Sequence, residues 1–138
     1  EPMLKDSSLV ITNLVADINS EEAFENPNEV KVVMDQNNNA LYFSREAIPS
    51  RKKGILNVPM KKQVCVIPFK RDFLLEYNKM SPTPLEIIES VDMMRILENG
   101  GKVKMCETKY KTKAVDSKED LDLVIKIMKT DQLFETYR

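Results

Sequence analysis

Four stretches carry side chains whose chemistry goes beyond packing. In "ALYFSREAIP", residues 40–49, an apolar run ends on Ser44 and Arg45 before the chain leaves through Pro49. A guanidinium offers a planar fork of donors that fits a carboxylate or phosphate, and the neighbouring hydroxyl can add a third hydrogen bond. The same pair would also suit a solvated strand end. "KAVD", residues 113–116, sets Asp116 between a short β-rich run and the cap of a helix. Ligands of α/β folds bind at the carboxyl ends of strands, and a carboxylate there can hold a Mg²⁺ that neutralises triphosphate oxygens. Asp116 would equally favour the positive end of the following helix. Glu89 and Asp92 stand three residues apart, so on a helix they share a face that could accept bonds from sugar hydroxyls or simply meet water. Gln63 opens an apolar run as a neutral donor and acceptor, with backbone pairing as its alternative.

Two absences narrow the chemistry. The 138 residues include no histidine, which excludes Ser-His and Cys-His catalysis and His-containing zinc sites from within the chain. The three glycines, Gly54, Gly100 and Gly101, form no phosphate-cradling loop. With 21 basic against 22 acidic residues the net charge of -1 gives no global pull towards nucleic acid or an acidic membrane. The local exception is "SRKKG", 50–54, whose charge could draw a phosphorylated substrate or mark a wet loop. No apolar run approaches the ~18 residues of a membrane span, and the start "EPMLKD" lacks the regions of a secretory signal, so a cytoplasmic protein is expected. Cys65 and Cys106 lie in apolar stretches and are expected as buried, reduced thiols.

The elements that must position these residues follow from pattern. Residues 9–17 read as a strand, and "NSEEAFENP" as one short helix stopped by Pro27. "VKVVMD" and "ALYFSR" flank an Asn cluster that tolerates left-handed backbone, a hairpin signature. "QVCVIPFK", 63–70, reads as a buried strand, followed by a short amphipathic helix in "RDFLLEYNK". Thr83, Pro84 and Glu86 then form a T-x-x-E start, and Gly100 suits a left-handed end, predicting one helix over 84–98. Its Ile87, Ile88, Val91, Met94 and Leu97 form a core-facing stripe. A strand over 102–108 and a helix capped by Ser117 with Asp120 complete the set. Alternating strands and helices give an α/β single domain with an antiparallel hairpin added.

The order of "NPNEVKVVMD", "ALYFSREAIP", "FKRDFLLEY", "SPTPLEIIESVDMMRILENGGKV" and "AVDSKEDL" resembles the second half of the 3-deoxy-manno-octulosonate cytidylyltransferase (CMP-Kdo synthetase) family, over about residues 26–125. The resemblance implies a carboxy-terminal portion of a nucleotide-diphospho-sugar transferase, Rossmann-like fold. It implies an enzyme that joins CTP to a Kdo-like 3-deoxy sugar acid with release of pyrophosphate, for lipopolysaccharide or capsule synthesis, as a Mg²⁺-dependent homodimer. By that resemblance Ser44, Arg45 and Gln63 would lie on the acid-sugar side and Asp116 would be the metal-holding, catalytic carboxylate, with Glu89 and Asp92 kept as candidate sugar-hydroxyl acceptors from their spacing alone. Gln63 stands where the family commonly has histidine, and Met93 where it has glutamine. "EPML" resembles the end of the family's "QGDEP" element, so the half with the "LPGK"-type loop and cytosine pocket would have to be supplied for turnover. A cytidylyltransferase for another acid acceptor, and a non-catalytic module for sugar binding or dimerisation, are the alternative expectations.

Overall fold

The computed structural model describes residues 2–55, 57–110, 112–115, 117–131 and 134–137. After a helical turn, α1 (Pro2–Lys5), come β1 (Thr12–Asp17), α2 (Glu21–Glu25), β2 (Lys31–Met34), β3 (Ala40–Ser44) and β4 (Lys61–Val64). Next are α3 (Arg71–Tyr77), α4 (Pro84–Glu89), α5 (Met93–Glu98), β5 (Lys104–Glu107) and α6 (Lys118–Met128), with a 3-10 turn at Phe134–Tyr137. The five strands form one sheet in the order β3-β2-β4-β1-β5. Among the described residues β1 and β5 run parallel and the remaining neighbours are antiparallel, so the sheet is mixed as expected. It curls until its two edge strands touch. Ala40 N–H donates to Val103 O at 2.9 Å and Met105 N–H to Asn38 O at 2.8 Å, which joins the start of β3 to β5. The curl encloses Ile11, Val15, Val32, Phe43, Val103 and Met105, and Met94 and Ile96 pack into the same cluster.

The hairpin forms where the Asn cluster predicts it. Asn38 takes the left-handed conformation at φ 56°, and the Asp35 carboxylate accepts from the N–H groups of Asn37 and Asn39 at 2.8 Å each. The helix after Ser117 also forms with its capping box intact.

Several expectations change, beginning with the strand expected over 9–17, which forms only over 12–17. The predicted strand 63–70 becomes β4, residues 61–64, because beyond Val64 the chain follows β1 irregularly. Leu14 N–H reaches Val66 O and Thr12 N–H reaches Pro68 O, both at 3.1 Å, while Pro68 has no N–H to return. Cys65 is therefore exposed, against the expected burial; Cys106 is half-buried, and both thiols are free. The strand over 102–108 shortens to 104–107.

The largest change is in the helix over 84–98, which is two helices. Ser90 adopts the left-handed conformation at φ 52° and ends α4. The turn brings Val91, Met93, Met94 and Ile96 inward, whereas Ile87 and Ile88 are 68% and 74% exposed. The expected apolar stripe therefore divides, with its first two members facing out. Long-range ties hold the two short helices together. Glu98, at the end of α5, accepts from the N–H groups of Leu85 and Glu86 at 3.1 and 3.2 Å, satisfying donors that the start of α4 leaves open. Glu86, itself buried, accepts from Arg95 Nε at 2.7 Å and from Nη2, and also from Thr83 N–H at 3.1 Å. The Arg95 guanidinium lies 4.6 Å from the Tyr77 ring centroid, carrying the tie on to α3. Gly100 ends α5 at φ 76° as expected, and Gly101 allows a close approach, since a Cβ there would stand 2.6 Å from Ile96 Cγ2.

The hydrogen bonds from Arg95 hold the Glu86 carboxyl below its usual range. A carboxylate depressed on folding adds stability above its unfolded value, and that stability is lost as pH falls through the folded one. Urea unfolding of the native chain should therefore weaken steadily below about pH 4.5. Glu86→Gln should lower stability at pH 7 by about 2 kcal/mol and flatten the acid-side slope; an unchanged slope would show that the pair does not titrate with folding.

Candidate functional site

The end of β3 gathers three of the residues singled out in the sequence. Ser44 Oγ donates to Glu89 Oε1 at 3.0 Å, and Arg45 N–H donates to Glu89 Oε2 at 2.9 Å. Tyr42, two residues earlier and so on the same side of the strand as Ser44, donates its hydroxyl to Glu89 Oε1 at 3.1 Å. Burial, reinforced by the Glu89 carboxylate, raises the Tyr42 phenol above its ordinary value and keeps it a donor. The break at Ser90 is what turns the end of α4 towards β3.

The Arg45 guanidinium meets the same helix end. Its Nε donates to Glu89 O at 2.7 Å, Nη2 to Ser90 O at 3.1 Å and Nη1 to Pro27 O at 2.9 Å. A cation on the last carbonyls of a helix is favourably placed for their partial negative charge. Three of the five N–H groups of the fork are thereby engaged by backbone, which leaves two for another acceptor.

Behind Arg45 lies a residue that the sequence reading did not single out. Lys31 on β2, paired in register with Ser44, is wholly inaccessible to solvent. Its Nζ donates to Asn26 O at 2.8 Å and to Arg45 O. Burial pulls this ammonium below lysine's ordinary value, and Glu46, Glu25 and Glu29 oppose the shift. A charged residue set between valines in "VKVVMD" was the available signal, since a lysine there must find partners or reach water.

Gln63 lies on β4, outside that cluster. Its Nε2 donates to Asn13 Oδ1 at 2.6 Å, and Asn13, fully buried on β1, donates to Leu14 O and Val64 O at 2.9 and 2.7 Å. With both Asn13 protons so placed, its oxygen is the acceptor and Gln63 turns its own Oε1 away. Asn13, another residue missed, was visible only as a polar interruption in "ITNLVA".

Asp92 is the residue that precedes α5 and is exposed, and its carbonyl accepts from Tyr77 Oη at 3.2 Å. The turn at Ser90 separates it from α4, which ends on Glu89, so the common helix face expected of the two is not formed. Asp116 lies outside the described residues. Among the described residues no three histidine, cysteine or acidic side chains come close enough to hold a metal ion. In the basic run, Arg51 pairs with Glu21 and Glu25 at 2.8 Å each and covers the Phe24 ring, which ties that loop to α2. A cavity of about 480 Å³ opens at the carboxyl ends of β1 and β5, bordered by Asp17, Asn19, Ser20, Lys62, Thr108 and Tyr110 among others. It includes none of the residues picked from the sequence. No helix among the described residues is long and apolar enough to cross a membrane.

Comparison with known proteins sets this geometry in a family. A 3-deoxy-manno-octulosonate cytidylyltransferase of Fusobacterium nucleatum is 42% identical over 134 residues, covering 96% of this chain and 54% of that protein. The protein of the same description from Geobacter metallireducens is 34% identical, over 96% of this chain and 56% of its own. A solved CMP:2-keto-3-deoxy-manno-octonic acid synthetase, complexed with CTP, superposes with a TM-score of 0.84 at 29% identity over 93% of this chain and 52% of that one. The chain thus spans about half the length of the relatives it matches, and its curled mixed sheet with flanking helices is a partial nucleotide-diphospho-sugar transferase, Rossmann-like fold. The family model described as cytidylyltransferase matches residues 2–115, and the chain belongs to the cytidylyltransferase family.

Proposed function

We propose that this chain is the carboxy-terminal, sugar-acid-handling part of an enzyme that joins CTP to a Kdo-like 3-deoxy sugar acid. The observation that carries this reading is the 42% identity across nearly the whole chain to a 3-deoxy-manno-octulosonate cytidylyltransferase. In the reaction, the sugar's anomeric hydroxyl attacks the α-phosphorus of CTP. One P–O bond forms, the bond to the departing pyrophosphate breaks, and the hydroxyl proton is lost. Catalysis of this kind is mainly positioning and charge neutralisation.

Under this reading the residues at the end of β3 hold the acid. Arg45 offers its two remaining N–H groups to the sugar carboxylate, from a position set by the carbonyls of Glu89, Ser90 and Pro27. Glu89 and Ser44 hold that strand end in register, and Gln63 presents Oε1 to a sugar hydroxyl from the setting Asn13 gives it. Asp92, exposed at the start of α5, offers a further carboxylate to hydroxyls. Mg²⁺ belongs to the proposal, with Asp116 as one ligand, and it would neutralise charge on the triphosphate. The described residues do not by themselves assemble a cation site, so no step is derived through the ion. A cytoplasmic homodimer is part of the same reading, and the exposed Ile87 and Ile88 of α4 supply apolar surface for a second copy.

Joining this chain to the amino-terminal half of the Fusobacterium nucleatum protein should give CTP-dependent pyrophosphate release that requires a 3-deoxy sugar acid. Release that is indifferent to the acid, or none from a folded joined protein, would overturn the proposal. In that protein Arg45→Lys, which keeps the charge and loses the fork, should raise KM for the acid about tenfold or more with KM for CTP nearly unchanged. An equal rise for both substrates would place Arg45 on phosphate instead.

A further inference from the structure

The longest helix among the described residues buries none of its side chains. α6 has the local signals of a helix, a Ser117–Asp120 capping box with acids in its first turn, yet none of its residues is buried. At 100° per residue, Leu121, Val124, Ile125 and Met128 form one stripe, and Leu123 and Ile127 extend it, so apolar side chains cover roughly 200° of the circumference. Leu121, Leu123, Ile125, Ile127 and Met128 are each between 38% and 49% exposed. A helix lying on a single core needs a stripe of only about 100°. One twice as wide fits a helix covered on two sides.

Length sharpens the point. α6 has 11 residues, and a helix below ~12–15 residues is marginal in water unless tertiary packing holds it. Something outside the described fold must cover it for it to persist. A membrane surface is disfavoured by charge, because Lys118, Glu119, Asp120, Asp122 and Lys126 make the polar side slightly acidic, where interfacial helices are rich in lysine and arginine. A single helix of a second copy would cover one side only.

The relatives supply the remaining candidate. The alignment to the Fusobacterium nucleatum protein covers 96% of this chain, too much to leave an 11-residue helix outside the shared region, but only 54% of that protein. Nearly as much polypeptide again accompanies the same helix there. We propose that α6 is a docking helix whose wide apolar face inserts into the other half of the cytidylyltransferase architecture, the half beyond the region shared with this chain. The inference rests on the assignment of this chain to the carboxy-terminal part, but not on the turnover of CTP.

Amide hydrogen exchange tests it, with the chain alone and joined to the amino-terminal half of the Fusobacterium nucleatum protein. Residues 118–128 should exchange near the unprotected rate in the chain alone and at least about 100-fold more slowly when joined. Leu121→Asp with Ile125→Asp should restore fast exchange there and leave the strands as protected as before, because α6 contributes nothing to the core. The same half supplied as a separate polypeptide should co-elute with the chain and cease to do so with the double variant. Slow exchange of α6 in the chain alone would overturn the proposal, in favour of a second copy if it grows with concentration and of the chain's own core if it does not. Fast exchange in a joined protein with protected strands would also overturn it. Docking without pyrophosphate release would remove the proposed function and leave the docking helix; release with α6 unprotected would do the reverse.

Discussion

A carboxylate partly withdrawn from water must be met by donors, and Glu89 meets three on one strand end: the hydroxyls of Tyr42 and Ser44 and the N–H of Arg45. Hydrogen bonds to a charged group contribute about 1.5–3 kcal/mol each, enough together to outweigh the ~1–2 kcal/mol cost of a left-handed serine. That balance accounts for the break at Ser90. The turn delivers Glu89 to β3, exposes the Glu89 and Ser90 carbonyls to the Arg45 guanidinium, and re-aims the following residues so that Val91, Met94 and Ile96 fill the core. The proposed grip on an acid therefore shares its residues with the joint that shapes the fold. An arginine fixed by three carbonyls has little rotamer freedom left to lose on meeting a ligand.

Buried polar groups support this joint and the neighbouring strands. Lys31 holds the Arg45 carbonyl from beneath, and Asn13 sets the orientation of Gln63 from within β1. Each is satisfied by backbone carbonyls, so neither depends on a ligand for its partners. The cavity at the carboxyl ends of β1 and β5 and the exposed apolar face of α6 are, by contrast, open among the described residues.

Local rules made much of this legible. The Asn cluster turned the hairpin, and Ser117 with Asp120 began α6, because each signal acts within a few residues. The order of motifs led to the family, and Ser44, Arg45 and Glu89 do lie together. What could not be read locally was the break at Ser90. "IIESVDMM" carries an unbroken helical pattern with neither glycine nor proline, and partners more than 40 residues away in β3 override it. The same long-range effect hid Tyr42, Lys31 and Asn13, whose partners are set by sheet register and helix placement. Pro68 was a visible warning that the strand from 63 to 70 would lose its ladder.

Hydrogen bonds from Tyr42, Ser44 and Arg45 to Glu89 couple the end of β3 energetically to α4 across the break. A double-mutant cycle in urea unfolding, with Ser44→Ala, Glu89→Ala and the pair together, measures that coupling. The structure predicts that the two losses overlap by about 1–2 kcal/mol. Losses that simply add, to within about 0.3 kcal/mol, would mean that the carboxylate does not hold the strand end and that the break has another cause.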